Sequence, residues 1–321
     1  MLEREDPTEA IGNSSRFTFN MEVTLVKTLK KEYALHLMLL PGVIITLIYA
    51  YGPMAGLVMA FQQFEPLSGF FKSEFVGWDN FKYVFELPDF MQVLWNTILI
   101  AICKMVLFLL VPLVLALLLN EVTKRWFSRV IQSAIFLPFF LSWTVLGGVV
   151  IELFSLNGPV NGLLEALGME PIMFMLNNGW FRGIVIGSDV WKGMGYNMIV
   201  MLAAITGINA TLYEAAEVDG AGRWKQMLNI TLPGMMPILI LLGVLSLGGI
   251  LNAGFEQILI MYNPTVYEGG DIIDTFVYRL GMFSQQFGPA AAVGLFKSVV
   301  SLIMVSTTYY AAYKYNNYRI F

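Results

Sequence analysis

The sequence is poor in the residues that most chemistry needs. It holds one cysteine and one histidine. Cys103 lies inside an apolar run, so no intrachain disulfide can form and the redox compartment cannot be read from it. With His36 alone, a His-rich zinc site and a Ser-His-Asp triad elsewhere in the chain are excluded. We therefore expect no metal ligands and no catalytic residues. Charge is scarce too, at 13% of residues, against roughly 25% in soluble domains. The net charge of −4 offers no basic footprint, so nucleic acid is not an expected partner. No Gly-x-x-x-x-Gly-Lys-Ser/Thr loop is present, whose amides and lysine would cradle phosphates. There is no internal repeat and no low-complexity segment. The N-terminal stretch carries Glu3, Glu5, Asp6 and Glu9, and its first apolar run comes late, so it does not read as a signal peptide.

What the chain has is apolar surface. Hydrophobic residues make up 57%, above the about 45–50% of soluble chains. A spanning helix needs about 20 mostly apolar residues. Six stretches meet this: about 35–62, 92–120, 130–154, 181–208, 232–262 and 288–313. Pro41, Pro53, Pro112, Pro138 and Pro237 fall inside or near them, which membranes tolerate when neighbours satisfy the freed backbone. If residue 1 is inside, the inner segments hold Arg4, Arg16, Lys27, Lys30, Lys31, Lys124, Arg125, Arg129, Arg223, Lys225, Lys314 and Arg319. The outer segments hold only Lys72, Lys82 and Arg279. The positive-inside rule then places both termini in the cytoplasm. Trp78, Trp95 and Trp180 near outer boundaries, and Trp126 near an inner one, fit an aromatic belt. Residues 1–34 form a cytoplasmic N-terminal segment, and 35–321 the six-span domain. Val23–Tyr33 reads either as a basic amphipathic helix on the inner surface or as an extension of the first span. The outer segments 63–91, 155–180 and 263–287 are long and rich in turn residues, and read as ordered caps.

The cytoplasmic loop 209–233, between the fourth and fifth spans, is the most informative segment. Thr211 and Glu214 have capping-box spacing, which starts a helix. Leu212, Ala215 and Ala216 give it an apolar face of mostly small residues. Gly220 can turn the chain sharply, because glycine tolerates positive φ. A second helix is expected over roughly Arg223–Asn229, and Pro233 suits the start of the next span. The small residues let another surface approach closely. Glu214, Glu217, Asp219, Arg223 and Lys225 supply a polar rim. Such a helix–turn–helix is suited to docking a partner.

This loop resembles the permease subunits of binding-protein-dependent ABC importers. That family carries Glu-Ala-Ala, three residues, Gly, nine residues, Ile, one residue, Leu-Pro. The chain matches at Glu214, Ala215, Ala216, Gly220, Ile230, Leu232 and Pro233, in the cytoplasmic loop where the family places the pattern. Asp219-Gly220-Ala221 and Asn96-Thr97 look like carbohydrate-class permeases related to the maltose importer. Leu39-Leu-Pro-Gly-Val and Tyr262-Asn-Pro-Thr-Val-Tyr-Glu look like the branch that imports oligosaccharides from polysaccharide breakdown. The resemblance implies an all-α membrane protein with six transmembrane helices, the type I ABC importer permease fold. It also implies a location in the bacterial inner membrane. Loop 209–233 would be the coupling helix, with Glu214 contacting an ATP-binding subunit and Gly220 setting the bend. The implied partners are a second, related permease, two ATP-binding subunits that hold ATP and Mg, and an extracytoplasmic solute-binding protein. The chain itself would bind no cofactor.

Charges within spans are expensive and usually face a cavity, a partner or the interior. Arg182 and Glu152 sit near outer ends and are expected to snorkel. Asp189 and Lys192 share a helical face, with Trp191, Tyr196 and Asn197 nearby. Asn252, Phe255, Glu256 and Gln257 form a second polar–aromatic cluster. Sugar recognition needs this mixture, aromatic faces for the apolar ring face and polar groups for hydroxyls. The plainer reading is interhelical hydrogen bonding, or an Asp189–Lys192 pair that neutralises itself. Lys192, with Lys104 or Lys297, is the candidate for holding anionic, uronate-containing oligosaccharides. Glu256 and Asp189 could cancel that field. Two other classes compete: an ion-coupled secondary transporter, which should show inverted repeats and broken helices, and a polytopic membrane enzyme, which needs a convergent acid/base or metal site. Within the ABC class, neutral sugars are the alternative cargo.

Overall fold

The computed structural model describes Tyr33 and residues 35–249 and 251–316. The expected amphipathic helix over Val23–Tyr33 and most of the N-terminal segment lie outside the described residues. Contacts divide the chain into two compact units, Met1–Val58 and Met59–Phe321. Residues 35–58 of the first unit are helical, and that apolar helix, α1, runs Leu35–Phe61.

In the second unit, a two-residue antiparallel ribbon pairs Gln62 with Phe75 and Gln63 with Glu74. A short outer helix α2 (Asp79–Glu86) leads into the long α3 (Pro88–Asn120). Pro88 opens α3, where its missing N–H is harmless. Pro112 sits inside α3 without ending it. α4 (Arg125–Phe136) runs into a 3₁₀ turn, Leu137–Phe140, and then bends by 106° into α5 (Trp143–Leu153). α6 (Pro159–Ala166) lies in the outer segment. α7 (Asn178–Thr206) follows, then α8 (Ala210–Val218), bent from it by 66°. α9 runs Arg223–Leu247 and α10 covers Phe255–Met261. α11 (Ile273–Tyr278) and α12 (Phe287–Asn316) complete the chain as described.

Among the described residues, four helices are long and apolar enough to cross a membrane, or six if each bent pair counts as one span. The expected spans 92–120, 181–208 and 288–313 are each one helix. The expected unbroken spans 130–154 and 232–262 are not. The third is interrupted at Leu141-Ser142, where Ser142 Oγ accepts from Val145 N and starts α5 afresh. The fifth is interrupted between α9 and α10, where Gly254 has φ +100°. A Cβ there would stand 2.7 Å from Lys104 Nζ, so the tight crossing needs glycine twice over.

The second helix of loop 209–233 is also not separate. Arg223–Gln226 continues through a π-turn, Met227–Thr231, into the fifth span. The same device appears in α1, where a π-turn at Leu47–Tyr51 precedes Pro53. A proline ring clashes with the carbonyl four residues back and offers it no N–H. Widening the preceding turn relieves the clash while the helix continues.

Three apolar clusters hold the second unit together. α3 packs along α7, and α5 packs against α10. Ile100, Leu146, Phe181, Val185, Leu251 and Ile258 are buried at their meeting. Phe90, Val93, Ile273, Phe276 and Val293 form an outer cluster. Leu119, Met198, Met201, Ile205 and Met235 form an inner one beside loop 209–233. Leu110, Val114 and Leu118, spaced by one helical turn each, stay exposed on α3. That stripe suits lipid or another apolar helix.

Candidate functional site

Loop 209–233 presents α8 as an exposed helix. Its N-cap is Asn209, whose Oδ1 accepts from Thr211 N at 3.1 Å. Thr211 is therefore already helical, and the expected Thr211–Glu214 capping box is replaced by an asparagine cap two residues earlier. Gly220 ends the helix with φ +74°. Asp219 N donates to Ala215 O at 3.0 Å and Ala221 N to Ala216 O at 2.8 Å, which satisfies the last carbonyls. Gln226 Nε2 closes the turn on Ala221 O. Tyr213 Oη and Thr231 Oγ1, 2.9 Å apart, tie α8 to the base of α9.

Glu214, Ala215, Asp219 and Pro233 are exposed, and Ala216, Ile230 and Leu232 half-buried. Leu212, Val218 and Trp224 are large apolar residues left exposed on this loop, Val218 at 88% and Trp224 at 70%. Arg223 turns from the rim to meet Glu121 at the end of α3, at 3.2 Å. Both are exposed, so the pair is worth little by itself.

Within the spans, the structure joins Lys104, Asp189 and Gln257. Lys104 is buried on α3, and its Nζ bonds Asp189 Oδ2 on α7 at 2.7 Å. It also bonds Ala253 O at 2.7 Å and Gln257 Oε1 at 2.6 Å. Gln257 Nε2 donates onward to Val185 O and Ser188 Oγ. Lys104 thus uses all three donors, and Gln257 both of its amide hydrogens and its oxygen. These two residues hold the fifth-span break together, with their hydrogen-bonding groups engaged inside the protein. Of the two plainer readings, the Asp189–Lys192 pair does not form, because Lys104 takes Asp189, and interhelical hydrogen bonding does.

Lys192 sits at the other break. Its Nζ donates to the carbonyls of Phe139 (3.2 Å) and Leu141, and stands 5.6 Å from the Trp143 ring centroid. A bend of 106° frees carbonyls that an unbroken helix would satisfy. Lys104 and Lys192 therefore do the same job at two breaks: each cation caps backbone exposed inside a span. Lys297 forms a third site, bonding Asp274 at 2.6 Å and Asn252 Oδ1 at 2.8 Å. Asp274 carried no sequence signal, since its partner is 23 residues on.

The remaining path candidates are more open. Trp191, Tyr196, Asn252, Phe255 and Glu256 are exposed and Asn197 half-buried. Tyr196 stacks on Phe139, with ring centroids 5.2 Å apart. Phe255 packs edge-on to Tyr278. Trp191 helps line an apolar cavity of about 480 Å³ with Trp180, Phe154, Gly183 and Gly187.

The outer segment is pinned by residues the sequence placed elsewhere. Arg182 does not snorkel: it donates to Asn96 Oδ1 (2.7 Å) and Gly269 O (3.0 Å). Asn96 Nδ2 bonds Glu268 O, and Thr97 Oγ1 accepts from Ile273 N. In the same segment Asp271 pairs with Arg279 at 2.7 Å. Burial still pushes the Asp271 carboxyl above the usual carboxylate range, outweighing its Thr275 hydrogen bond and Arg279. Among the described residues no group of three or more His, Cys, Asp or Glu side chains could hold a metal ion.

Comparison with known proteins places this geometry. Residues 108–314 match the family described as binding-protein-dependent transport system inner membrane component. The polygalacturonan/rhamnogalacturonan transport system permease protein YteP of Bacillus subtilis (strain 168) is 40% identical over 298 residues, covering 92% of each chain. A crystal structure of a bacterial ABC transporter involved in the import of the acidic polysaccharide alginate contains a chain that superposes with TM-score 0.84. That chain is 38% identical, with 91% of this chain and 99% of that one covered. A second structure, of bacterial alginate ABC transporter in complex with alginate pentasaccharide-bound periplasmic protein, gives TM-score 0.82 at 38% identity, covering 90% of this chain and 96% of that one. The chain belongs to the binding-protein-dependent transport system inner membrane component family, the membrane-spanning permeases of ABC importers.

Proposed function

We propose that this permease carries acidic, uronate-containing oligosaccharides inward by alternating access, driven by a separate ATPase, and performs no covalent chemistry itself. The carrying observation is the relationship to YteP and the alginate transporter, spread over nine-tenths of the chain. The first is named for polygalacturonan and rhamnogalacturonan, the second for the acidic polysaccharide alginate. An extracytoplasmic binding protein delivers the cargo, and a second permease completes the pore. Two ATP-binding subunits, with ATP and Mg, sit below, and one of them docks on α8.

The docking surface is the exposed set Leu212, Glu214, Ala215, Val218 and Trp224, with Asp219 at the turn. α9 then acts as a lever. It is 25 residues long, roughly 37 Å at 1.5 Å per residue. Its inner end is tied to α8 by Tyr213–Thr231, and its outer end meets the Lys104-bound break. A push on α8 is carried along α9 to a point where the chain can hinge.

Of the three lysines, Lys192 is the one without a carboxylate partner among the described residues. It keeps the role of meeting a uronate carboxylate, while Lys104 and Lys297 position backbone and side chains around it. Uptake of a galacturonate oligomer and of its neutral methyl ester by the reconstituted Lys192→Ala transporter tests this. We expect acidic uptake to fall about tenfold, one lost charged contact, with the ester little changed. Unchanged acidic uptake removes Lys192 from the path. Neutral oligosaccharides are the second reading, favoured by the carboxylates already bound to Lys104 and Lys297, and equal uptake of acid and ester supports it.

A further inference from the structure

The cavity between the end of the first span and the start of the last is lined by amides and rings. It has a volume of about 450 Å³, within the range of small-molecule sites. Gln62, Gln63, Gln285 and Gln286 line it, with Phe64 and Phe287 as ring walls. Its frame is built. Asn80 Nδ2 donates to Ala60 O (3.0 Å) and Gln62 O (2.9 Å), and Gln62 Nε2 to Phe70 O (2.9 Å). The ribbon pairing of Gln62 and Gln63 fixes that wall from behind.

Three observations set this cavity apart. Gln62 is only 8% exposed, yet its Oε1 has no protein donor. Gln286 Oε1 has none either, while its Nε2 reaches Tyr83 Oη at 3.4 Å. Buried acceptors are nearly always met, so two among the lining residues leave amide oxygens that a turn of each side chain would offer to a donor in the cavity. Gln285 has φ 55°, the one non-glycine residue with positive φ among the described residues. Glycine would adopt that conformation freely, so a glutamine there bears strain beside the cavity it helps line. No lysine or arginine lines the site, and Glu65 is its one charged residue.

We propose that this cavity is an outer saccharide subsite that reads hydroxyls and ring faces, not carboxylates. Paired amide oxygens accept from sugar hydroxyls, and Phe64 and Phe287 cover an apolar ring face. With a carboxylate of its own and no cation, the cavity has nothing to hold a uronate group. It takes the neutral edge of an oligosaccharide and leaves any acidic edge outward. The proposal rests on the reading of the chain as an oligosaccharide importer. It deepens that reading by dividing the work: sugar shape at the outer cavity, charge at Lys192.

The test uses the intact transporter in nanodiscs without its binding protein, probed by saturation-transfer NMR. The probes are tetragalacturonate and its methyl ester. Gln62→Met and Gln286→Met keep side-chain volume and remove the acceptors. Gln285→Ala, at an exposed position, serves where a buried change disturbs folding, and thermal melts check each variant. We expect both probes to bind the Lys192→Ala transporter, the background for these variants, within twofold of each other. Each variant should weaken both about tenfold, the loss of one hydrogen bond left unmade. Binding of both probes unchanged by all three variants overturns the subsite. So does loss of binding-protein docking with sugar binding intact, which makes the cavity a protein contact. Absent sugar binding while binding-protein-dependent uptake persists also overturns it, and leaves the importer reading standing. Absent uptake as well overturns that reading and the subsite together.

Discussion

Lys104 is a buried cation with three partners on two other stretches of the chain. It bridges α3, α7 and the fifth-span break through Asp189, Ala253 O and Gln257. A buried ion pair need not stabilise relative to an apolar replacement, but removing one partner leaves the other charge stranded. Lys104→Met should therefore cost about 3–5 kcal/mol, read as a lowered thermal midpoint in detergent. Lys104→Met with Asp189→Asn should recover part of that loss. A single variant as stable as the wild type would contradict the capping role. Lys104 and Gln257 are path candidates in the sequence because intramembrane polar groups mark function by default. What spacing along one helix could not show is that Lys104 lies about one half of the chain away from Ala253, its carbonyl partner. For Lys192 the sequence weighs a contact with substrate against a pair with Asp189. In fact Phe139 and Leu141, brought near by the 106° bend, supply its acceptors.

At the scale of elements, the loop 209–233 was the legible part. Its signals are local: a helix-starting polar residue, small residues at helical spacing, and one glycine at the turn. Gly220 at φ +74° is where the sequence put it. Gly220→Val places a β-branched residue in the left-handed region, at a cost of about 1–2 kcal/mol. We expect it to lower substrate-stimulated ATPase activity in the assembled transporter while leaving the permease in the membrane. Glu214→Ala should weaken ATPase-subunit retention on affinity purification with little change in permease stability, since Glu214 is exposed. Co-purification at wild-type yield would argue against α8 as the dock. The helix breaks were not legible. Pro112 is passed without a break, and Pro53 and Pro233 are absorbed by π-turns. The actual breaks fall at Leu141-Ser142 and near Gly254, where a lysine from another helix supplies what the backbone loses. Broken spans were the expected mark of an ion-coupled transporter. Their presence in a chain of the ABC permease family shows that a break marks irregular backbone lined by protein, whichever energy source drives transport.

For the whole molecule, composition and charge asymmetry reach as far as a six-span protein with cytoplasmic ends. The family follows from the loop motif and from similarity over nine-tenths of the chain. The mechanism proposed here joins α8, the α9 lever and the Lys104-bound break into one path from ATPase to pore. Its most direct test is ATPase activity of the complete transporter in proteoliposomes, with the binding protein loaded with galacturonate oligomers or with their neutral methyl esters. We expect the acidic load to stimulate ATP hydrolysis and uptake together, and Gly220→Val to lose both. Stimulation by the neutral load alone, or uptake that persists without ATP hydrolysis, would contradict an ATP-driven importer of acidic oligosaccharides.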